Sequence, residues 1–115
     1  MLWSAKLNTL LILFSGISFL AYGLACFVSP YMKREFIRYG MDSRRPLAGA
    51  LQIGAALGLL GGLSQPWMGC AAAIGLAAMM LVAVWVRIRI KDSLRQITPA
   101  LCYLLLNAYL GWAAF

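Results

Sequence analysis

Gly49-Ala-Leu-Gln-Ile-Gly-Ala-Ala-Leu-Gly-Leu-Leu-Gly-Gly62 decides how the chain is read. Ala50, Gly54, Gly58 and Gly62 recur every fourth residue, and Gln52 is the one polar side chain among them. Residues four apart share a helix face. In water, such a stripe of missing side chains weakens a helix. In lipid it has a use: helices there associate by close packing, and small residues let two backbones approach. The stretch therefore reads as a membrane helix with one smooth ridge.

The rest of the chain agrees. Of its 115 residues, 63% are hydrophobic and 11% charged. Ordinary globular chains hold roughly 45–50% and 25%. A domain this small has too little interior to hide so much apolar surface. Four apolar stretches stand out, at about residues 7–28, 47–63, 67–88 and 97–115. Each approaches the roughly 20 residues that cross the hydrocarbon as a helix. The second and fourth are at the short end. A membrane β-barrel would alternate apolar and polar residues, and these stretches do not. The expected fold is all-α: one domain, residues 1–115, folded as a membrane-embedded four-helix bundle. A signal peptide is the competing reading of the first stretch, but its apolar core is too long.

Between the first two stretches lie about 18 residues. Ser29-Pro30 ends the first helix. Residues 30–39 read as a short amphipathic helix opened by proline and closed by Gly40. Met32, Phe36 and Tyr39 share one face, with Ile37 near its edge; Lys33, Arg34 and Arg38 tend toward another. This helix is expected to lie in the membrane interface with its aromatic face dipped into lipid. Arg45-Pro46 then opens the next helix.

Charge sets the orientation. Lys33, Arg34, Arg38, Arg44 and Arg45 fall in the first loop, and Arg87, Arg89, Lys91 and Arg95 around the third. The opposite side has Lys6 alone. The positive-inside rule places both basic loops in the cytoplasm or its organellar equivalent, and both termini outside. Trp3, Trp67 and Trp112 then share the outer interface, as an aromatic belt would. The net charge of +7 is read as orienting charge that meets anionic lipid head groups, and no nucleic acid is expected. Without a cleavable targeting sequence, a bacterial inner membrane is expected, an organellar one being the alternative.

The glycine ridge has a counterpart in Gly69, Ala73 and Ala77 on the third helix, across the short turn Ser64-Gln65-Pro66. The two are expected to pack as a tight antiparallel hairpin. Polar groups at membrane depth are costly without partners. Gln52 and Arg87 reach similar depths near the inner ends of the second and third helices, so they are expected to meet. With Asp92, and with Asn107 from the middle of the fourth helix, they make a candidate polar pocket for a lipid head group or a quinone carbonyl. The plainer alternative has Arg87 reaching for phosphates, Gln52 capping a neighbouring backbone, and Asn107 bonding a neighbouring helix. Asp92 is within helical reach of Arg89 and Arg95.

Catalytic parts are scarce. There is no histidine, and the acids are Glu35, Asp42 and Asp92. No nucleophile–base pair or paired carboxylates can be assembled. Cys26, Cys70 and Cys102 show neither Cys-x-x-Cys nor a zinc spacing, so no metal is expected. Cys26 and Cys102 both lie toward the inner side and could approach one another.

Gly49-Ala-Leu-Gln-Ile-Gly54 with its ridge, the turn at Pro66, Lys91-Asp92-Ser93 followed by Pro99-Ala100, and the basic aromatic segment Lys33–Gly40 together resemble the DoxX-like family of small four-helix membrane proteins. The resemblance covers nearly the whole chain. It implies a small bundle working beside a larger partner: membrane subunits of quinone-linked oxidoreductases or of thiol-stress complexes, or helpers of receptor-channel assembly. Gln52 departs from the glutamate common in that family, and Arg87 and Arg89 from a histidine frequent late in the third helix. Both departures weaken a proton-coupled role. The expected function is a non-catalytic accessory protein, a subunit or assembly helper of a larger membrane complex or a homo-oligomer. The alternative is a quinone- or lipid-binding redox component. A transporter is disfavoured because the spans hold few polar residues.

Overall fold

The computed structural model describes residues 2–115, and side chains from Lys6 onward. The chain is all-α, with no strand among the described residues. Five α-helices follow one another: α1 (Leu2–Val28), α2 (Pro30–Arg38), α3 (Arg45–Gly61), α4 (Pro66–Arg89) and α5 (Leu94–Tyr109). A 3-10 turn, Asp42–Arg44, leads into α3, and a π-helical turn, Leu110–Ala114, follows α5. Among the described residues, three helical segments are long and apolar enough to cross a membrane: Lys6–Val28, Pro66–Arg89 and Leu94–Ala114. α3 has 17 residues, or about 25 Å at 1.5 Å per residue, a little under the hydrocarbon thickness of about 30 Å.

The helix ends are written locally. Ser29 caps α2, its hydroxyl accepting from the Met32 N–H at 3.4 Å, and Pro30 fills the first turn. Gly40 closes it at φ +74°. The Gly40 N–H donates to Ile37 O at 3.0 Å and the Met41 N–H to Phe36 O at 2.9 Å, the paired bonds of a Schellman ending. α4 ends the same way: the Lys91 N–H reaches Ile88 O at 3.0 Å and the Asp92 N–H reaches Arg87 O at 2.9 Å. Here the left-handed residue is Lys91, at φ +63°, where glycine would be unstrained; the cost is roughly 1 kcal/mol. Ser93 starts α5 at once with a reciprocal capping box to Gln96. α5 thus begins before Pro99, which sits inside the helix.

α1 packs on α3, α3 on α4, and α4 on α5. The buried apolar centre is Ile12, Phe19, Ala56, Leu59, Ala73, Leu76 and Leu110. Leu10, Phe14, Ile17, Val28, Ile74, Leu81 and Leu105 point outward and are more than half exposed, a surface suited to lipid and not to water.

The small-residue ridge divides. Gly62 meets Gly69 back to back: a Cβ built on Gly62 would lie 2.4 Å from Gly69 Cα. Gly58 faces Ala72, Ala73 is buried, and Ala77 is half-buried. This is the expected hairpin. Gly54, however, has nothing within 4 Å of its Cβ position, and Ala50 is exposed. Their spacing matches that of Gly58 and Gly62, but α4 diverges from this end of α3 and leaves them unpacked within the chain. The closest α1–α3 approach uses residues outside the ridge. A Cβ on Gly23 would fall 3.0 Å from Gly49 O, and one on Gly49 3.0 Å from Gly23 O. Gly16 likewise receives Leu60.

Candidate ligand cavity

A half-open cavity of about 690 Å³ lies among the helices, and α2 forms part of its wall. All five helices line it. Phe19 and Tyr22 come from α1, Leu51 and Gln52 from α3, Met79, Val86 and Arg87 from α4, and Pro99, Ala100 and Tyr103 from α5. α2 supplies Tyr31, Met32, Glu35 and Phe36, with Tyr39 just past its end. The wall is mostly apolar and aromatic. Tyr103 joins α5 to α1, its ring centroid 5.1 Å from that of Phe19 and 5.8 Å from that of Tyr22, both edge-on.

The aromatic face of α2 therefore turns inward. Phe36 is buried, and its ring packs edge-on to that of Tyr39 at 5.6 Å. Periodicity found the apolar face and assigned it to lipid; the cavity claims it instead. Lys33 and Arg34 are exposed.

The polar groups gather at the rim. Asp92, whose side chain is 4% exposed, receives Arg87 Nη1 at Oδ2 (2.9 Å) and both terminal nitrogens of Arg38. Arg38 also pairs with Glu35. Arg89 and Arg95 are not its partners among the described ion pairs. The two guanidiniums, Arg38 first, hold the Asp92 carboxyl below its usual range. Arg38 is held protonated more firmly by Asp92 and Glu35. The Arg87 guanidinium lies 5.3 Å from the Tyr39 ring centre. Burial pushes the Tyr39 phenol up to about 12 against the opposing pull of Arg87. Arg89 Nη2 donates to Tyr39 O at 3.5 Å and stacks over Trp85.

Gln52 and Arg87 both line the cavity but do not bond each other. Gln52 Nε2 approaches Cys26 Sγ at 3.9 Å, a weak partner, and Arg87 turns to Asp92. Asn107 is elsewhere. It is fully buried, accepts from the Ser15 hydroxyl at 2.7 Å and donates to Tyr103 O at 2.9 Å. That is the interhelical bond of the plainer reading. Arg44 reaches the cavity wall, and Arg45 Nη1 bonds Cys26 O at 3.0 Å. Lys91 and Arg95 are exposed. All three thiols are free; Cys26 is buried and Cys102 exposed, so they form no pair. No cluster of metal-binding side chains occurs among the described residues.

The sequence reading missed Tyr39 and Tyr103, whose partners Arg87, Phe19 and Tyr22 lie far along the chain, and Glu35, whose partner Arg38 is only three residues on but is drawn into the rim by the distant Asp92. It also missed Gly23 and Gly49, whose spacing belongs to no repeat. The link between Arg38 and Asp92 brings the two basic loops to one end of the molecule. Trp67 and Trp112 lie toward the opposite end, where Cys70 Sγ donates to Gly111 O at 3.4 Å. Trp3 falls outside the described side chains.

A profile of the DoxX-like family matches residues 7–110, spanning every helix and every residue of the rim cluster. The chain belongs to the DoxX-like family. Neither a curated protein nor a solved structure matches it. Membership and the three apolar helical segments fit an integral membrane protein.

Proposed function

We propose that this DoxX-like protein is a non-catalytic membrane component that binds a lipophilic molecule with a small polar head, a quinone or a lipid, beneath α2. The observation that carries this reading is the cavity: about 690 Å³ of largely aromatic and aliphatic wall with Gln52 and Arg87 in it. Ligand sites usually combine an apolar enclosure with a few placed polar groups. The Gln52 amide, with only a sulfur neighbour, has hydrogen-bonding capacity to offer a carbonyl or hydroxyl.

In this reading α3 crosses the membrane steeply as the fourth span. The rim cluster faces the inner side and both termini the outer, in a bacterial inner or organellar membrane. A second reading, a subunit or assembly helper of a larger complex, is favoured by the open face at Ala50 and Gly54. Small residues facing outward in lipid suit a second helix.

The test is gentle extraction from the native membrane and mass spectrometry of what stays bound. A stoichiometric quinone or lipid, lost in Gln52→Leu while the protein stays folded, supports the cavity. A stoichiometric larger protein with an empty cavity supports the accessory reading and overturns the first.

A further inference from the structure

Resting on the reading of the cavity as a ligand site, we propose that α2 is a hinged cover over it and that Asp92 is the clasp that fastens the cover. α2 has few ties to the body of the protein. Its inward residues Met32, Glu35 and Phe36 line the cavity, and of these Phe36 alone is buried. Among the described residues, the polar links from this segment to α4 and the α4–α5 turn are Arg38 to Asp92, Arg89 to Tyr39 O and the Arg87 guanidinium over the Tyr39 ring.

The two ends of α2 differ. Its start is tied to α1 through the extended cap residue Ser29, whose N–H donates to Ala25 O at 2.8 Å and whose hydroxyl accepts from the Met32 N–H. Its far end is Gly40, left-handed and with nothing within 4 Å of its Cβ position. A short unpacked junction of that kind can absorb a backbone rotation.

The clasp is held ready by the turn that carries it. Lys91 adopts φ +63° without being glycine. That conformation sends the Asp92 N–H to Arg87 O and the Asp92 carboxylate to the Arg87 side chain. A strained residue is retained where neighbours over-determine it, often beside a working part. Asp92 thus belongs to the body through Arg87 and grips the cover through Arg38. Arg87 also lines the cavity. A ligand head that accepts from Arg87 draws on the same guanidinium that anchors the clasp, which couples occupancy of the cavity to the hold on α2.

The experiment is amide hydrogen exchange on the full chain in lipid nanodiscs, comparing wild type with Asp92→Asn and Arg38→Gln. The first keeps the side-chain size and removes the charge; the second leaves the Asp92–Arg87 pair intact. Both should speed exchange across residues 30–41 by about two- to fivefold, the scale of one partly exposed ion pair, with α1 and α4 unchanged. Unchanged exchange in α2, or acceleration spread over every helix, overturns the proposal. In the second case Asp92 is a clamp for the whole fold.

Ala83, on α4, also lines the cavity, and access is read separately with Ala83→Cys in a background of Cys26→Ala, Cys70→Ala and Cys102→Ala. Maleimide labelling should rise in parallel with α2 exchange. Faster exchange without faster labelling overturns α2 as a cover. Neither readout needs a ligand, so an empty cavity on extraction would sink the ligand reading while leaving the clasp to be judged on its own.

Discussion

Gly54 and Gly62 stand eight residues apart on one helix face, yet alanine at the two sites should have opposite consequences. At Gly62 the added Cβ would lie 2.4 Å from Gly69 Cα and 2.9 Å from Gly69 N. These are backbone atoms, and no rotamer change moves them. The Phe115 ring, 2.7 Å away, can turn aside; α4 cannot. Ordinary contact begins at 3.4 Å, so α3 and α4 must part locally by about 1 Å. A gap of that size forfeits a quarter to a half of each contact across it. If the seam holds about as many contacts as one buried leucine, some 50 pairs at about 0.15 kcal/mol, the loss is roughly 2–4 kcal/mol. Measured costs of overpacking, about 1–3 kcal/mol, agree. In lipid this packing is a main source of helix association, so little else compensates. At Gly54 the Cβ meets nothing within 4 Å. Alanine there is expected to leave stability within about 0.5 kcal/mol of wild type, or to raise it slightly through helix propensity. Reversible unfolding of the purified protein in mixed micelles, titrated with a denaturing detergent, measures both. Equal losses at Gly54 and Gly62 would refute the assignment of the α3–α4 seam.

Three other expectations follow from the geometry. Asn107→Leu removes the partner of the buried Ser15 hydroxyl and should cost about 0.5–2 kcal/mol in the same unfolding assay. Ser15→Ala combined with it should cost little more, since the pair acts as one unit. The Asp92 clasp should depend on pH in one direction. Its carboxyl is held below the ordinary 3.8 by Arg38 and Arg87, so its contribution is complete above that value and is lost as the pH falls through the lowered one. The excess α2 exchange of Asp92→Asn over wild type should therefore hold steady from pH 8 to about 5 and shrink only in stronger acid. Tyr39, pushed up to about 12 by burial, should ionise later than an ordinary phenol at 10. The difference in ultraviolet titration between wild type and Tyr39→Phe should show that late step, and a normal midpoint would contradict the enclosure of Tyr39 under the rim.

Much of the architecture was legible along the chain because its causes are local. Ser29-Pro30 and Gly40 bracket α2 and Arg45-Pro46 opens α3, whereas the Ser93–Gln96 box starts α5 at Leu94, ahead of the residue 97 expected from hydropathy. These stops and starts act within one turn of helix. The apolar character of the long helices is likewise a property of each segment. The hairpin seam was legible too, since Gly62 and Gly69 are joined by a short turn that leaves the two helices few ways to meet.

What lies across the chain was not legible. Spacing gave Ala50, Gly54, Gly58 and Gly62 one face, but which part of that face meets a neighbour depends on where α4 leaves α3. The apolar face of α2 was evident from period 3.6. Its destination, cavity or lipid, was not, because both reward the same residues. Gln52 and Arg87 both line the cavity without the contact expected between them. Their partners are set instead by competition: Asp92 is the stronger acceptor for a guanidinium than an amide is. The sequence by itself determined the helices, their ends and the kind of surroundings their surfaces require, because propensity, capping and hydropathy act over a few residues. Only the tertiary structure decided which glycines touch, that α2 turns inward, and that Arg38 and Arg87, 49 residues apart in sequence, converge on Asp92. Those outcomes depend on how rigid helices cross in space, and no window along the chain contains that geometry.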